Sequence, residues 1–269
     1  RFEPHRNLIW LVGEETNEAY SNTRVRNIAT RIRHHDDYDH LIGHHHGKGP
    51  SQGTWIEGGA LDHYSMQNNV SSAADVHADA IAAFANGVAA GSSGNGYQTI
   101  YSENTKRRGN NIGDTRNMIW EVAMGGLQVM RLGMDIAETP DEALNACRYL
   151  QQFFEQTDFY TMVNADALAY GDTTYVLADS GRSYIAYGLD AGGGLGLQDL
   201  PADSYDLDWL DAVDGDTATQ SGVAASGDTV FARPAGIGTQ CAVWLRRAGT
   251  AGAGSLRLTA SVANVAEDA

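Results

Sequence analysis

Through about residue 155 this chain alternates short apolar runs with helical patterns, and near Asn164 that alternation stops. The runs predicted as strands are Leu8 to Val12, Leu41 to Gly43, Asp62 to Gln67, Tyr97 to Tyr101 and Leu127 to Leu132. Ser21 or Asn22 is placed to cap a helix reaching about Arg33, with Val25, Ile28, Ala29 and Ile32 on one face. A long helix is predicted from Ala73 to about Ala90, another is capped by Asp114, and a last one opens at Thr139-Pro-Asp-Glu142 and runs to about Phe154. Strands and helices in this order form βαβ units with parallel strands. Leu8 to Val12 is apolar without a break, the pattern of a strand buried on both faces.

The strand ends share a second feature. Strand after strand closes in polar chemistry: Glu14-Glu15, His44 to His46, Gln67-Asn68 and Glu103. In a closed (β/α) barrel these positions ring one mouth, where that architecture places its chemistry. Acids just past a strand are either a catalytic pair or the first solvated residues, and spacing alone does not choose.

Beyond Asn164 short alternating runs are separated by Gly, Asp and Ser turns: Thr174 to Ala178, Ser183 to Tyr187, Leu207 to Leu210, Thr229 to Arg233, Cys241 to Leu245 and Ser255 to Ala260. That is the pattern of a small antiparallel β-sandwich of about a hundred residues. With Asp158 to Asn164 as the junction, the expected domains are 1–157 and 158–269. A formal net charge of -16 argues against nucleic acid as a partner, while neutral substrates raise no conflict. Cys147 and Cys241 fall in a predicted helix and a distant predicted strand, so a disulfide is possible but not indicated. No stretch reaches the length of a membrane-spanning helix, and no basic-then-apolar leader opens the chain. Arg1-Phe-Glu-Pro4 runs almost at once into a strand, which leads us to expect further residues upstream.

Leu8-Ile-Trp-Leu-Val-Gly-Glu-Glu15 resembles the fourth barrel strand of glycoside hydrolases in the large clan of (β/α)8 glycosidases. More narrowly, the chain is similar to the apiosidase-like family, whose members often end in a small β-domain labelled collagen-binding. Asp37-Tyr-Asp-His40, Ser65-Met-Gln-Asn68, Ile100-Tyr-Ser-Glu-Asn104, Thr115-Arg-Asn-Met-Ile-Trp120 with Gly125-Gly126, Phe153-Phe154 and Met162-Val-Asn-Ala-Asp-Ala167 follow in that family's order. Tyr184-Ile-Ala-Tyr187 and Ala242-Val-Trp-Leu245 fit the terminal domain. The resemblance implies a mixed fold, α/β plus all-β. Its parts are a partial (β/α)8 TIM barrel, about strands 4 to 8, and an antiparallel β-sandwich. It implies a secreted or periplasmic retaining glycoside hydrolase acting on a plant or algal polysaccharide side chain or glycoside, without a cofactor. Glu15 is the implied acid/base and Glu103 the implied nucleophile, and Glu14 stands where the clan usually has Asn. A barrel beginning at its fourth strand has open edges, so a partner is implied as well: the N-terminal half of the barrel, or another chain covering those edges. The alternative, from a different class, is a non-catalytic carbohydrate-binding or surface-assembly protein that keeps the glycosidase fold.

Around the two acids the expected substrate-binding residues are Glu14, His44, His45, His63, Gln67, Asn68 and Trp55; Trp120, on a predicted helix, is either a further stacking surface or buried packing, and Trp10 is a core residue. The histidines (His34, His35, His40 and His44 to His46) raise the question of a metal. Neighbouring residues on a strand point to opposite faces, so three in a row do not converge on one ion, and no metal is expected. Arg107 and Arg108, beside Glu103, are either a solvated loop or a contact for an acidic sugar.

Overall fold

The computed structural model describes residues 8–46, 60–90, 98–104, 112–129 and 139–249. Five parallel strands form one sheet in chain order: β1 (Ile9–Leu11), β2 (Leu41–His46), β3 (His63–Asn68), β4 (Gln98–Asn104) and β5 (Gln128–Val129). Between and after them run α1 (Thr16–Ala19), α2 (Asn22–His35), α3 (Ala73–Ala90), α4 (Ile112–Met124) and α5 (Asp141–Phe154). The helix starting at Asn22 is capped as its sequence predicts, the Ser21 hydroxyl accepting the Arg24 N–H at 3.3 Å. Asp114 instead lies inside the first turn of α4, and α5 is preceded by Pro140 with no side-chain cap. The predicted tail of the fifth strand, through Leu132, lies outside the described residues.

One face of the sheet packs on the helices. Val25 and Ala29 of α2 bury Ile42 with Trp10 and Val12, and Tyr64, Met66 and Tyr101 pack on Val76, Ala80, Met118 and Val122 of α3 and α4. Side chains alternate along a strand, so His45, Ser65 and Gln67 turn to the opposite, inner face. The expectation that Leu8 to Val12 is buried on both faces is overturned. Trp10 packs outward against α2, but Ile9 and Leu11 of β1 and Leu41 of β2 are about half exposed, at 50, 49 and 52%. A second difference concerns the histidines: β2 does not stop at Gly43 but runs on through His46.

The C-terminal half is antiparallel and comprises β6 (Val163–Asn164), β7 (Ala169–Gly171), β8 (Tyr175–Asp179), β9 (Ser183–Gly188), β10 (Gly194–Asp211), β11 (Thr217–Ala232) and β12 (Cys241–Arg247). Its strands form one connected seven-stranded sheet, order β11-β10-β12-β9-β8-β6 with β7 on β10, where two sheets were expected. Length is the reason. Leu207 to Leu210 and Thr229 to Arg233 belong to strands of 18 and 16 residues, whose pairing shifts register at Leu197/Leu200, Leu200/Asp203 and Tyr205/Leu207. Such bulges bend a strand, and β10 pairs with β7 near its start and with β12 near its end, around a core of Leu195, Tyr205, Trp209 and Phe231. Ser255 to Ala260 lies outside the described residues.

The two halves share a core. Trp120, Phe153 and Phe154 from α4 and α5 pack with Leu177, Tyr187, Leu210 and Trp244, and the Trp120 and Tyr187 rings stack at 4.6 Å. Polar bonds reinforce this: the Gln240 amide accepts from Arg116 Nε at 2.7 Å and donates to Asn117 at 2.8 Å and to the Tyr187 hydroxyl at 2.6 Å. Cys147 of α5 and Cys241 of β12 are not joined in a disulfide. Among the described residues no helix is long and apolar enough to cross a membrane.

Candidate functional site

The site is built at the C-terminal edge of the parallel sheet. Val12 N–H donates to Gly43 O at 2.9 Å and His45 N–H to Gly13 O at 3.2 Å, so β1 and β2 stay zipped past the last residue of β1. Glu15 then turns with φ 44° and ψ 43°, a left-handed conformation uncommon for a residue with a side chain. Two contacts fix that turn. The Glu15 N–H donates to His45 Nδ1 at 3.2 Å, and the Thr16 hydroxyl donates to His45 O at 3.1 Å. Glu15 is half-buried while Glu14 is exposed, which separates the two neighbouring acids.

Glu103 reaches the same edge by a different device. Met66 pairs with Tyr101, but Gln67 pairs with Glu103, so Ser102 is an extra residue in β4. Tyr101 faces the helices. Simple alternation would send Glu103 the same way; the extra residue instead turns it onto the inner face, level with Gln67. The Ser102 hydroxyl pins the bulge by donating to Met66 O at 3.0 Å. Glu103 is half-buried.

The other predicted residues divide between the two faces. His45 and Gln67 are buried on the inner face, and His63 lies deeper on it. The His63 ring lies against Gly43: a Cβ on that glycine would sit 2.0 Å from His63 Nε2, so a larger residue there would have to displace the ring. Burial lowers the His63 pKa, against the opposing pull of Asp62, which favours the neutral ring. His44 is on the helix side, its ring 5.1 Å from that of Tyr64, and this removes it from the expected binding set. Asn68 also turns outward. Its amide donates to Asp79 of α3 at 2.8 Å and its carbonyl accepts the Asn69 N–H at 2.7 Å, so it is committed to the scaffold. Trp120 is buried to 1% between α4 and the β-sheet half, which rules out sugar stacking. Trp55, Arg107 and Arg108 lie outside the described residues.

Sequence reasoning missed the supporting pairs. Asp36 accepts from the His40 backbone at 2.8 Å and contacts His40 Nδ1 at 2.7 Å; burial opposes its charge, but these bonds hold its carboxyl below the usual range. Asp62 accepts the Ile42 N–H at 2.7 Å and an Arg33 N–H, anchoring the start of β2. Asp36 and His40 stand four apart, a spacing available from the sequence. Asp62 with Arg33 is a long-range contact with no local signature. Among the described residues no cluster of His, Cys, Asp and Glu could hold a metal ion.

No protein-family model and no curated protein matches the sequence. Solved structures do match the fold. One is described as a glycoside hydrolase, with a TM-score of 0.66 and 13% identity over 93% of this chain and 67% of its own. A second is a glycoside hydrolase family 5 structure from Bacteroides vulgatus, with a TM-score of 0.67 and 14% identity over 92% of this chain and 64% of its own. The chain therefore has a glycoside hydrolase fold, and it spans about two thirds of the length of these structures. Within that fold the chain contributes a parallel sheet of five strands and a separate antiparallel sheet.

Proposed function

We propose that this chain carries the catalytic part of a retaining O-glycoside hydrolase, with Glu15 as acid/base and Glu103 as nucleophile. The observation that carries the reading is the bulge at Ser102, which turns Glu103 onto the inner face at the edge where His45 holds Glu15. β1 and β4 are three strand spacings apart, about 14 Å along a flat sheet at ~4.8 Å each. Curvature of a barrel brings inward-reaching side chains at such positions together. A retaining mechanism needs two carboxyl groups about 5–5.5 Å apart, one ionised to attack the anomeric carbon and one protonated to release the leaving group. Proximity and burial then push their pKa values apart and assign the roles.

Gln67 and His45 are the inner-face groups best placed to bond sugar hydroxyls, with Glu14 at the rim. The substrate class we assign is a plant or algal polysaccharide side chain or glycoside, met outside the cytoplasm; it rests on the family resemblance. The exposed inner residues Ile9, Leu11 and Leu41 favour a barrel completed by further strands, from residues preceding these or from another chain. The same residues favour the second reading, a carbohydrate-binding or assembly protein that has kept the fold.

Assays on pooled aryl glycosides and soluble plant polysaccharides separate the two. Glu15→Gln, which removes the proton donor, and Glu103→Gln, which removes the nucleophile of the glycosyl-enzyme intermediate, should each lower turnover by about 10³-fold, with circular dichroism unchanged. Hydrolysis that survives both substitutions would sink the assignment, and binding without hydrolysis by the unmodified chain would select the second reading.

A further inference from the structure

His45 was expected to bind substrate, but its contacts give it a more particular task. A backbone N–H can only donate, so the 3.2 Å contact from Glu15 N–H requires an unprotonated Nδ1. The ring is therefore neutral, with its proton on Nε2. The same residue's carbonyl receives the Thr16 hydroxyl, and its own N–H goes to Gly13 O. Three bonds from one residue thus clamp Gly13, Glu15 and Thr16, the segment that aims the acid. Glu15 needs the clamp because its backbone is left-handed at φ 44°. His45 is itself held rigidly, buried to 5% and paired with Ser65 in the sheet.

We propose that His45 is a positioning residue for Glu15, acting only as the Nε2–H tautomer, and that substrate reinforces this state. Nε2–H has no partner among the described residues, and the ring lies on the inner face. A sugar hydroxyl accepting a hydrogen bond from Nε2–H keeps the proton there and leaves Nδ1 free for the Glu15 N–H. Substrate contact and acid placement are coupled through one imidazole, as a metal-ligating or catalytic histidine is fixed through its second nitrogen. The catalytic part of this inference rests on the hydrolase reading; the tautomer and the clamp do not.

The test has two arms on the full chain. In the first, histidine is labelled with ¹⁵N, the His45 signals are assigned by their loss in His45→Asn, and exchange of the Glu15 amide is followed. At neutral pH the expected state is a protonated Nε2 and a hydrogen-bond-accepting Nδ1, with the Glu15 amide protected in the unmodified chain and in His45→Asn but not in His45→Ala. A protonated Nδ1, or equal exchange in both variants, overturns the proposal whether or not the chain hydrolyses anything. In the second arm, His45→Ala should lower kcat about 10²-fold, as expected when a catalytic group is misplaced by an ångström, and both His45→Ala and His45→Asn should raise KM alike through loss of the Nε2–H contact. His45→Asn, whose Oδ1 can accept the same N–H, should recover most of kcat. Equal loss in the two variants overturns the positioning role. If the unmodified chain is inactive on the pooled aryl glycosides, the hydrolase reading fails and the first arm alone decides the clamp.

Discussion

At Glu15 the demands of stability and of chemistry pull apart. A side chain at φ 44° clashes with its own backbone, which costs roughly 1 kcal/mol relative to glycine. Glu15→Gly should therefore leave the protein as stable as before or raise its unfolding free energy by up to about 1 kcal/mol, read from urea denaturation, while abolishing hydrolysis. A clear loss of stability would mean that the carboxylate itself holds the turn together. The sequence marks Gly13-Glu14-Glu15 as the end of a strand, and so as chemistry at an edge. It carries no sign of the left-handed turn, because nothing but glycine, Asn or Asp advertises one. The same holds for His44 and His45. They are adjacent and chemically identical, and they separate only when the register with Tyr64 and Ser65 assigns each to a face.

At the scale of elements, helices were the most legible part, since Val25, Ala29, Val76 and Ala80 repeat at helical spacing and are buried where that spacing puts them. Strand interiors were less so. The bulge in β4 inserts Ser102 without a glycine to announce it, yet it decides which face Glu103 occupies. Beyond the ladder it is anchored by the hydroxyl bond to Met66 O at 3.0 Å. Ser102→Ala should cost about 1 kcal/mol, the usual worth of one such bond, and turnover should fall with it as Glu103 loses its fixed level beside Gln67. Chemical denaturation and single-substrate kinetics read both effects; an unchanged stability would show that the ladder alone sets the bulge. The burial of β1 was misjudged for a different reason. An apolar run reports what a strand prefers, and Ile9 and Leu11 prefer cover that the described residues do not supply.

Across the whole molecule the two halves are tied by hydrogen bonds as well as by packing. His77 of α3 has Nδ1 2.7 Å from Glu121 O and Nε2 2.7 Å from Asp166 of the C-terminal half, with its ring stacked on Tyr175 at 3.8 Å. Both nitrogens face acceptors, the Glu121 carbonyl and the Asp166 carboxylate. Burial raises the Asp166 pKa, but the bonds from His77, the Val176 N–H and Asn164 outweigh it and hold the carboxyl below its ordinary 3.8. A depressed carboxylate pKa gives stability that is present above the unfolded value and lost as pH falls through the folded one. The gap in melting temperature between the unmodified chain and Asp166→Asn should accordingly be full near neutral pH and shrink below about pH 4. A gap that stays constant down to pH 2 would remove Asp166 as its source. None of this was legible beforehand, since 89 residues separate the partners.

The stacked rings of Trp120 and Tyr187 bear on how such a chain can be recombined. Sequence composition changes near Asn164, and a gene cut there looks like a cut through a linker. It would in fact cleave a shared interior, leaving Trp120 and Phe153 without their partners on one fragment and Tyr187 and Trp244 bare on the other. Shuffling by evolution or by an engineer should therefore move α4, α5 and the antiparallel sheet together as one cassette.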